Sequence, residues 1–167
     1  MQKKKLYIAY GSNLNLPQMK HRCLTAEPMG TAEIKNYELL FRGSKTGAFA
    51  TIEPCEGSSV PVLIWKVKEK DEAALDRYEG YPRFYEKETM EVECNKKMVS
   101  AFVYVMTEGH CLGMPSDSYL KVIEEGYKTA GFNAETLEEA VLHTKKKMES
   151  EQVKEEEPEN QLGMKWW

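Results

Sequence analysis

Met98-Val99-Ser100-Ala101-Phe102-Val103-Tyr104-Val105-Met106 is the stretch whose reading decides the fold class. Ala101, Val103 and Val105 alternate with Phe102, Tyr104 and Met106, so a strand here is apolar on both faces. Such a strand belongs inside a sheet rather than at its edge. Just upstream, residues 85–94 read as its antiparallel partner, turned around Asn95-Lys96-Lys97. Farther upstream lie three extended segments punctuated by glycine, 31–41, 48–53 and 60–67, and a buried strand over 6–10. After that first strand, Asn13 or Asn15 is placed to cap a short helix with Pro17 in its first turn.

A helix over 70–78 carries Ala74, Leu75 and Tyr78 on one side, and Gly80 and Pro82 stop it. Downstream, Pro115-Ser116-Asp117 opens a helix through Tyr119, Ile123 and Tyr127 that ends by Gly131, and a last helix spans 134–148. Strands first and helices afterwards imply an α+β fold: a mostly antiparallel sheet, expected to curl into a small β-barrel flanked by helices.

The chain's 167 residues, 41% of them hydrophobic, suffice for one domain with one core. No apolar run approaches the ~20 residues that a membrane-spanning helix needs. Met1-Gln2-Lys3-Lys4-Lys5 has the charge of a secretory leader, but the apolar run over 6–10 is too short for a signal-peptide core. A soluble, cytoplasmic protein is expected. The net charge of -4 carries no electrostatic footprint for nucleic acid. It is concentrated in residues 149–167, where six glutamates stand against Lys154 and Lys165, so 1–148 read as the domain and 149–167 as an acidic tail. The tail ends in Trp166-Trp167, and at least one of these indoles is expected to pack on an apolar surface of this chain or of a second copy. Monomer and homodimer both fit.

Cys23, Cys55, Cys94 and Cys111 are scattered, without a C-x-x-C pair. His21 near Cys23 and His110 beside Cys111 lack the spacing of zinc ligands. Neither a metal nor a cofactor is expected.

Two segments can carry chemistry. In Tyr10-Gly11-Ser12-Asn13-Leu14 a buried strand runs into a glycine turn, where successive N–H groups can form an anion-binding nest. The same residues also serve as a plain strand-to-helix connection. In residues 75–85, aromatic side chains surround Glu79 at a helix end. The negative end of the helix dipole and desolvation by the rings both raise a carboxyl pKa there, as a general base near neutral pH requires. The alternative is a helix-ending turn with Glu79 paired to Arg77 or Arg83.

Together the two segments, with Asp76-x-x-Glu79-Gly80-Tyr81-Pro82 some 65 residues after the first, resemble the signature of the gamma-glutamylcyclotransferase-like family. Residues 35–41 (Lys35-Asn36-Tyr37-Glu38-Leu39-Leu40-Phe41), Ala50-Thr51-Ile52, and Pro115-Ser116-x-x-Tyr119 with Ile123 and Gly126 extend the likeness over about 6–127. The resemblance implies a small closed or nearly closed barrel with its site at one mouth and Glu79 as the catalytic carboxylate. It implies a substrate-holding loop of Tyr7, Ile8, Ala9, Tyr10, Gly11 and Ser12, with Asn13 beside it, and further contacts from Tyr85 and Tyr119. The expected reaction releases an amine or amino acid from a gamma-glutamyl donor and forms 5-oxoproline without a cofactor. A gamma-glutamylamine cyclotransferase, a remover of gamma-glutamyl groups in a biosynthetic pathway, and a non-catalytic small-molecule binding domain are the alternatives.

Overall fold

The computed structural model describes the backbone of residues 4–165 and the side chains of residues 4–152. Five strands form one sheet in the order β2-β3-β1-β5-β4: β1 (Lys5–Ala9), β2 (Glu27–Arg42), β3 (Phe49–Val67), β4 (Tyr85–Cys94) and β5 (Lys97–Met106). The helices are α1 (Leu16–Arg22), α2 (Glu69–Glu79), α3 (Asp117–Ala130) and α4 (Ala134–Lys165). The α+β class expected from the sequence is the one observed. The barrel is corrected to an open sheet. Its edge strands β2 and β4 approach where Asn95 Nδ2 donates to the Met29 carbonyl at 3.3 Å, but no ladder joins them.

The doubly apolar β5 lies inside the sheet, between β1 and β4. It pairs antiparallel with β4 and parallel with β1, through Tyr7 opposite Phe102 and Ile8 opposite Val103. The segments 48–53 and 60–67, read separately from sequence, belong to one long strand, β3. Gly57 at φ 86° suggests a break but sits inside the bent β2–β3 hairpin, its N–H donating to Asn36 Oδ1 at 3.1 Å. Ile8, Leu40, Ile52, Val62, Ile64 and Val103 are fully enclosed in the core. Each contributes roughly 1.5–3 kcal/mol by leaving water. Helix α3 covers this core with Ile123 and Tyr127, and α4 with Leu137 and Ala140. Helix α4 continues past Met148, where the sequence suggested an end. The tryptophans Trp166 and Trp167, expected to dock, lie outside the described residues. Among the described residues, no helix is long and apolar enough to cross a membrane.

Three local features aim the site. Asn15 caps α1, accepting from the Gln18 N–H at 3.1 Å, and its amide reaches the Val122 carbonyl and Glu125 Oε2 on α3, both at 3.0 Å. The connection after β1 is thereby tied to α3. Gly126 lets α3 lie directly against that connection: a Cβ there would stand 2.6 Å from Leu14 Cβ and 2.8 Å from the Leu14 carbonyl carbon. Helix α2 ends at Gly80 in the left-handed region, φ 67°, with the Tyr81 N–H returning to the Asp76 carbonyl at 2.9 Å. That closure sets Glu79 as the last helical residue.

Candidate active site

The end of β1, the start of β3, the C-terminus of α2 and the N-terminal part of α3 meet around a cavity of about 200 Å³. Tyr7, Tyr10, Gly11, Ser12 and Asn13 line it from the β1 side, and Tyr78 and Glu79 from α2. Phe49, Ala50, Phe84, Tyr85, Tyr104 and Tyr119 complete the wall. Eight residues singled out from the sequence thus share one cavity: Tyr7, Tyr10, Gly11, Ser12, Asn13, Glu79, Tyr85 and Tyr119. Ile8 and Ala9 do not line it. Ile8 faces the opposite side of the sheet from Tyr7, Ala9 is a small side chain on Tyr7's face, and Ile8 and Ala9 are both enclosed in the core.

Sequence reading passed over Phe49 and Tyr104 as strand residues. Phe49 directly precedes Ala50, and Tyr104 belongs to a strand apolar on both faces, so nothing local marked either as a pocket residue. It also missed Arg22, at the end of α1. The Arg22 guanidinium lies 3.4 Å from the centre of the Tyr78 ring and hydrogen-bonds to Asn13 Oδ1.

Glu79 is half-buried, and burial pushes its carboxyl up to about 7, with the Arg22 charge opposing the rise. The pairing with Arg77 or Arg83 does not form: among the described residues, no ion pair or hydrogen bond engages the Glu79 carboxyl. Desolvation therefore dominates at this carboxyl.

The facing walls are rich in hydroxyls. Tyr10 donates to the Tyr104 carbonyl at 2.6 Å, Tyr85 to the Ala50 carbonyl at 2.6 Å, and Tyr104 to Asp76 Oδ1 at 2.6 Å. Asp76 in turn holds Lys87 at 2.8 Å, which anchors the last turn of α2 to β4. Tyr7 and Tyr119 differ, because their oxygens accept, from Asn13 Nδ2 at 2.8 Å and from the Ala50 N–H at 3.0 Å. Among the described residues, nothing accepts their own protons. Burial, with a further push from the Glu79 charge, raises the pKa of all five tyrosines, so each hydroxyl keeps its proton. Beside them the N–H groups of Gly11, Ser12 and Asn13 donate to no group among the described residues. The Trp65 indole fixes this loop from below, donating to the Asn13 carbonyl at 3.1 Å. The cavity thus sets one unpaired carboxyl against unpaired N–H and O–H donors. That arrangement can move a proton at one point while holding negative charge at another.

Comparison with known proteins covers most of the chain. Residues 7–127 match the family model described as Gamma-glutamyl cyclotransferase, AIG2-like. The chain is 31% identical to the gamma-glutamylcyclotransferase of Bos taurus over 139 residues, covering 78% of this chain and 73% of that protein. It is 31% identical to the Homo sapiens gamma-glutamylcyclotransferase over 142 residues, 80% and 75% of the two chains. A solved structure titled gamma-glutamyl cyclotransferase superposes with a TM-score of 0.75 at 28% identity, covering 83% of this chain and 86% of that one.

Proposed function

Because the chain belongs to the gamma-glutamyl cyclotransferase, AIG2-like family, we propose that it cleaves gamma-glutamyl amides to 5-oxoproline and a free amine or amino acid, with Glu79 moving the protons. The observation that carries this reading is the unpaired Glu79 carboxyl, raised to about 7, in a cavity whose other wall offers uncommitted N–H and O–H donors.

The chemistry needs little else. The donor's α-amino group attacks its own γ-carbonyl, and closing a five-membered ring asks mainly that the folded conformer be held, an effect worth several kcal/mol. The Glu79 carboxylate takes one proton from the α-ammonium, freeing the lone pair that forms the new C–N bond. The carbonyl oxygen gains negative charge as the tetrahedral centre forms, and the N–H groups of Gly11 and Ser12 with the Tyr119 hydroxyl are the donors available to it. The protonated Glu79 then gives its proton to the leaving nitrogen as the old C–N bond breaks. The regenerated carboxylate removes the second proton from the ring nitrogen and passes it to the departing amine. Tyr7 and Asn13 stand beside the same loop and hold its shape.

A panel of gamma-glutamyl amino acids, gamma-glutamylamines and glutathione, assayed for 5-oxoproline, tests the reaction. Release from at least one class is expected. Donors that raise the melting temperature yet never yield 5-oxoproline would replace the enzyme reading with a binding domain.

The pH profile follows from the same carboxyl. Only the carboxylate accepts the ammonium proton, so kcat/KM should rise with pH through about 7, where Glu79 titrates in the free protein. An unperturbed glutamate would set this limb near 4.5. An acid limb found there would take Glu79 out of the base's role.

A further inference from the structure

The rim of the cavity differs from its floor. Tyr7, Tyr10 and Tyr85 are buried, whereas Phe49 and Tyr78 remain 44% and 47% exposed. Phe49 is a large apolar ring facing water, yet it is firmly held. Its neighbour Ala50 is gripped on both sides by pocket tyrosines, the N–H by Tyr119 and the carbonyl by Tyr85. The Phe49 ring also meets Tyr119 edge-to-face at 5.2 Å and Phe84 at 6.0 Å. Phe84 is backed in turn by His110 at 4.7 Å, whose Nε2 is engaged with Thr107 Oγ1. An exposed ring pinned in this way is a preorganised surface for another flat or apolar group.

The charge at the rim points the same way. Among the described residues, Glu79 is the one charged side chain lining the cavity. The Arg22 guanidinium is covered by the Tyr78 ring and bonded to Asn13 and Gln18. A second carboxylate brought against Phe49 and Phe84 would lose hydration with no cation among the cavity's described lining residues to replace it, and would face Glu79.

From these contacts, and resting on the donor assignment above, we propose that Phe49 and Phe84 form a platform for the leaving half of the donor and select an apolar or aromatic amine without a carboxylate. Three donors separate the terms: the gamma-glutamyl amides of phenethylamine, of phenylalanine (the same ring plus a carboxylate) and of methylamine. The phenethylamide should exceed each of the others about tenfold in kcat/KM, the scale of one aromatic contact. In Phe49→Ala the phenethyl-to-methyl ratio should collapse toward one, whatever happens to both rates, and Phe49→Tyr should restore it. Calorimetric binding of the same three donors to Glu79→Gln reads the platform without turnover. Ordered binding combined with no 5-oxoproline from the wild-type protein would retain the platform and overturn the reaction. A phenylalanine donor equal to or better than the phenethylamide, or a ratio unmoved in Phe49→Ala, overturns the platform itself.

Discussion

Glu79→Gln should lower turnover of gamma-glutamyl donors by at least ~100-fold, the scale of losing a positioned general base, while leaving the protein folded and able to bind 5-oxoproline. Glutamine keeps the size and the carbonyl of glutamate but takes no proton from an ammonium. The same substitution should make the protein more stable above neutral pH. In the folded protein the carboxyl titrates at about 7 rather than 4.5, so between those values the folded state holds a proton that the unfolded chain has released. Stability therefore falls as pH rises through that window, and above it the full cost of an unpaired, half-buried carboxylate is present. That cost is on the order of 2–3 kcal/mol after allowing for the residue's remaining exposure. Denaturant unfolding at pH 5 and pH 8.5 measures it: wild type should weaken between the two, and the glutamine variant should not. Near-normal turnover in the variant would remove Glu79 from the mechanism, and an unchanged pH dependence of stability would show that its carboxyl is not desolvated.

Gly126→Ala should destabilise the fold and loosen the site at a distance from the chemistry. In an exposed helix, alanine in place of glycine stabilises by about 1 kcal/mol. Here the added Cβ meets Leu14 Cβ at 2.6 Å, the Leu14 carbonyl carbon at 2.8 Å and the Asn15 N at 3.0 Å, two of them backbone atoms that cannot swing aside. Overpacking of this kind costs about 1–3 kcal/mol and outweighs the helical gain. Relief requires α3 to move away from the Ser12–Leu14 turn, which carries with it the N–H groups of Ser12 and Asn13. A lower unfolding midpoint together with donor binding weakened more than tenfold is expected. A variant of raised stability and normal binding would show that the turn is not held by α3.

Much of this was legible in the chain itself, and for stated reasons. The double alternation over 98–106 required a strand covered on both sides, and β5 has that place. Ser116 and Gly131 bracket α3, and Gly80 ends α2, because capping chemistry is local. Local pattern misled at Gly57, where a glycine inside a paired bulge looks the same as a glycine in a loop. It also could not choose between an open and a closed sheet, since closure depends on how the curl of all five strands adds up at β2 and β4.

The candidate site divides along the same line. By itself the sequence determined that Glu79 ends a helix among aromatic residues and that Tyr10-Gly11-Ser12-Asn13 follows a buried strand, because both are matters of neighbours along the chain. Only the tertiary structure decided that these segments face each other, that Ile8 and Ala9 turn into the core, and that Phe49, Phe84 and Tyr104 join the wall. It also decided the state of the carboxyl. The choice between Arg77, Arg83 and no partner depends on where helix α2 points, and the cation that bears on Glu79 is Arg22, 57 positions away in sequence. Desolvation is a property of everything packed around a group in space, and a linear sequence does not contain it.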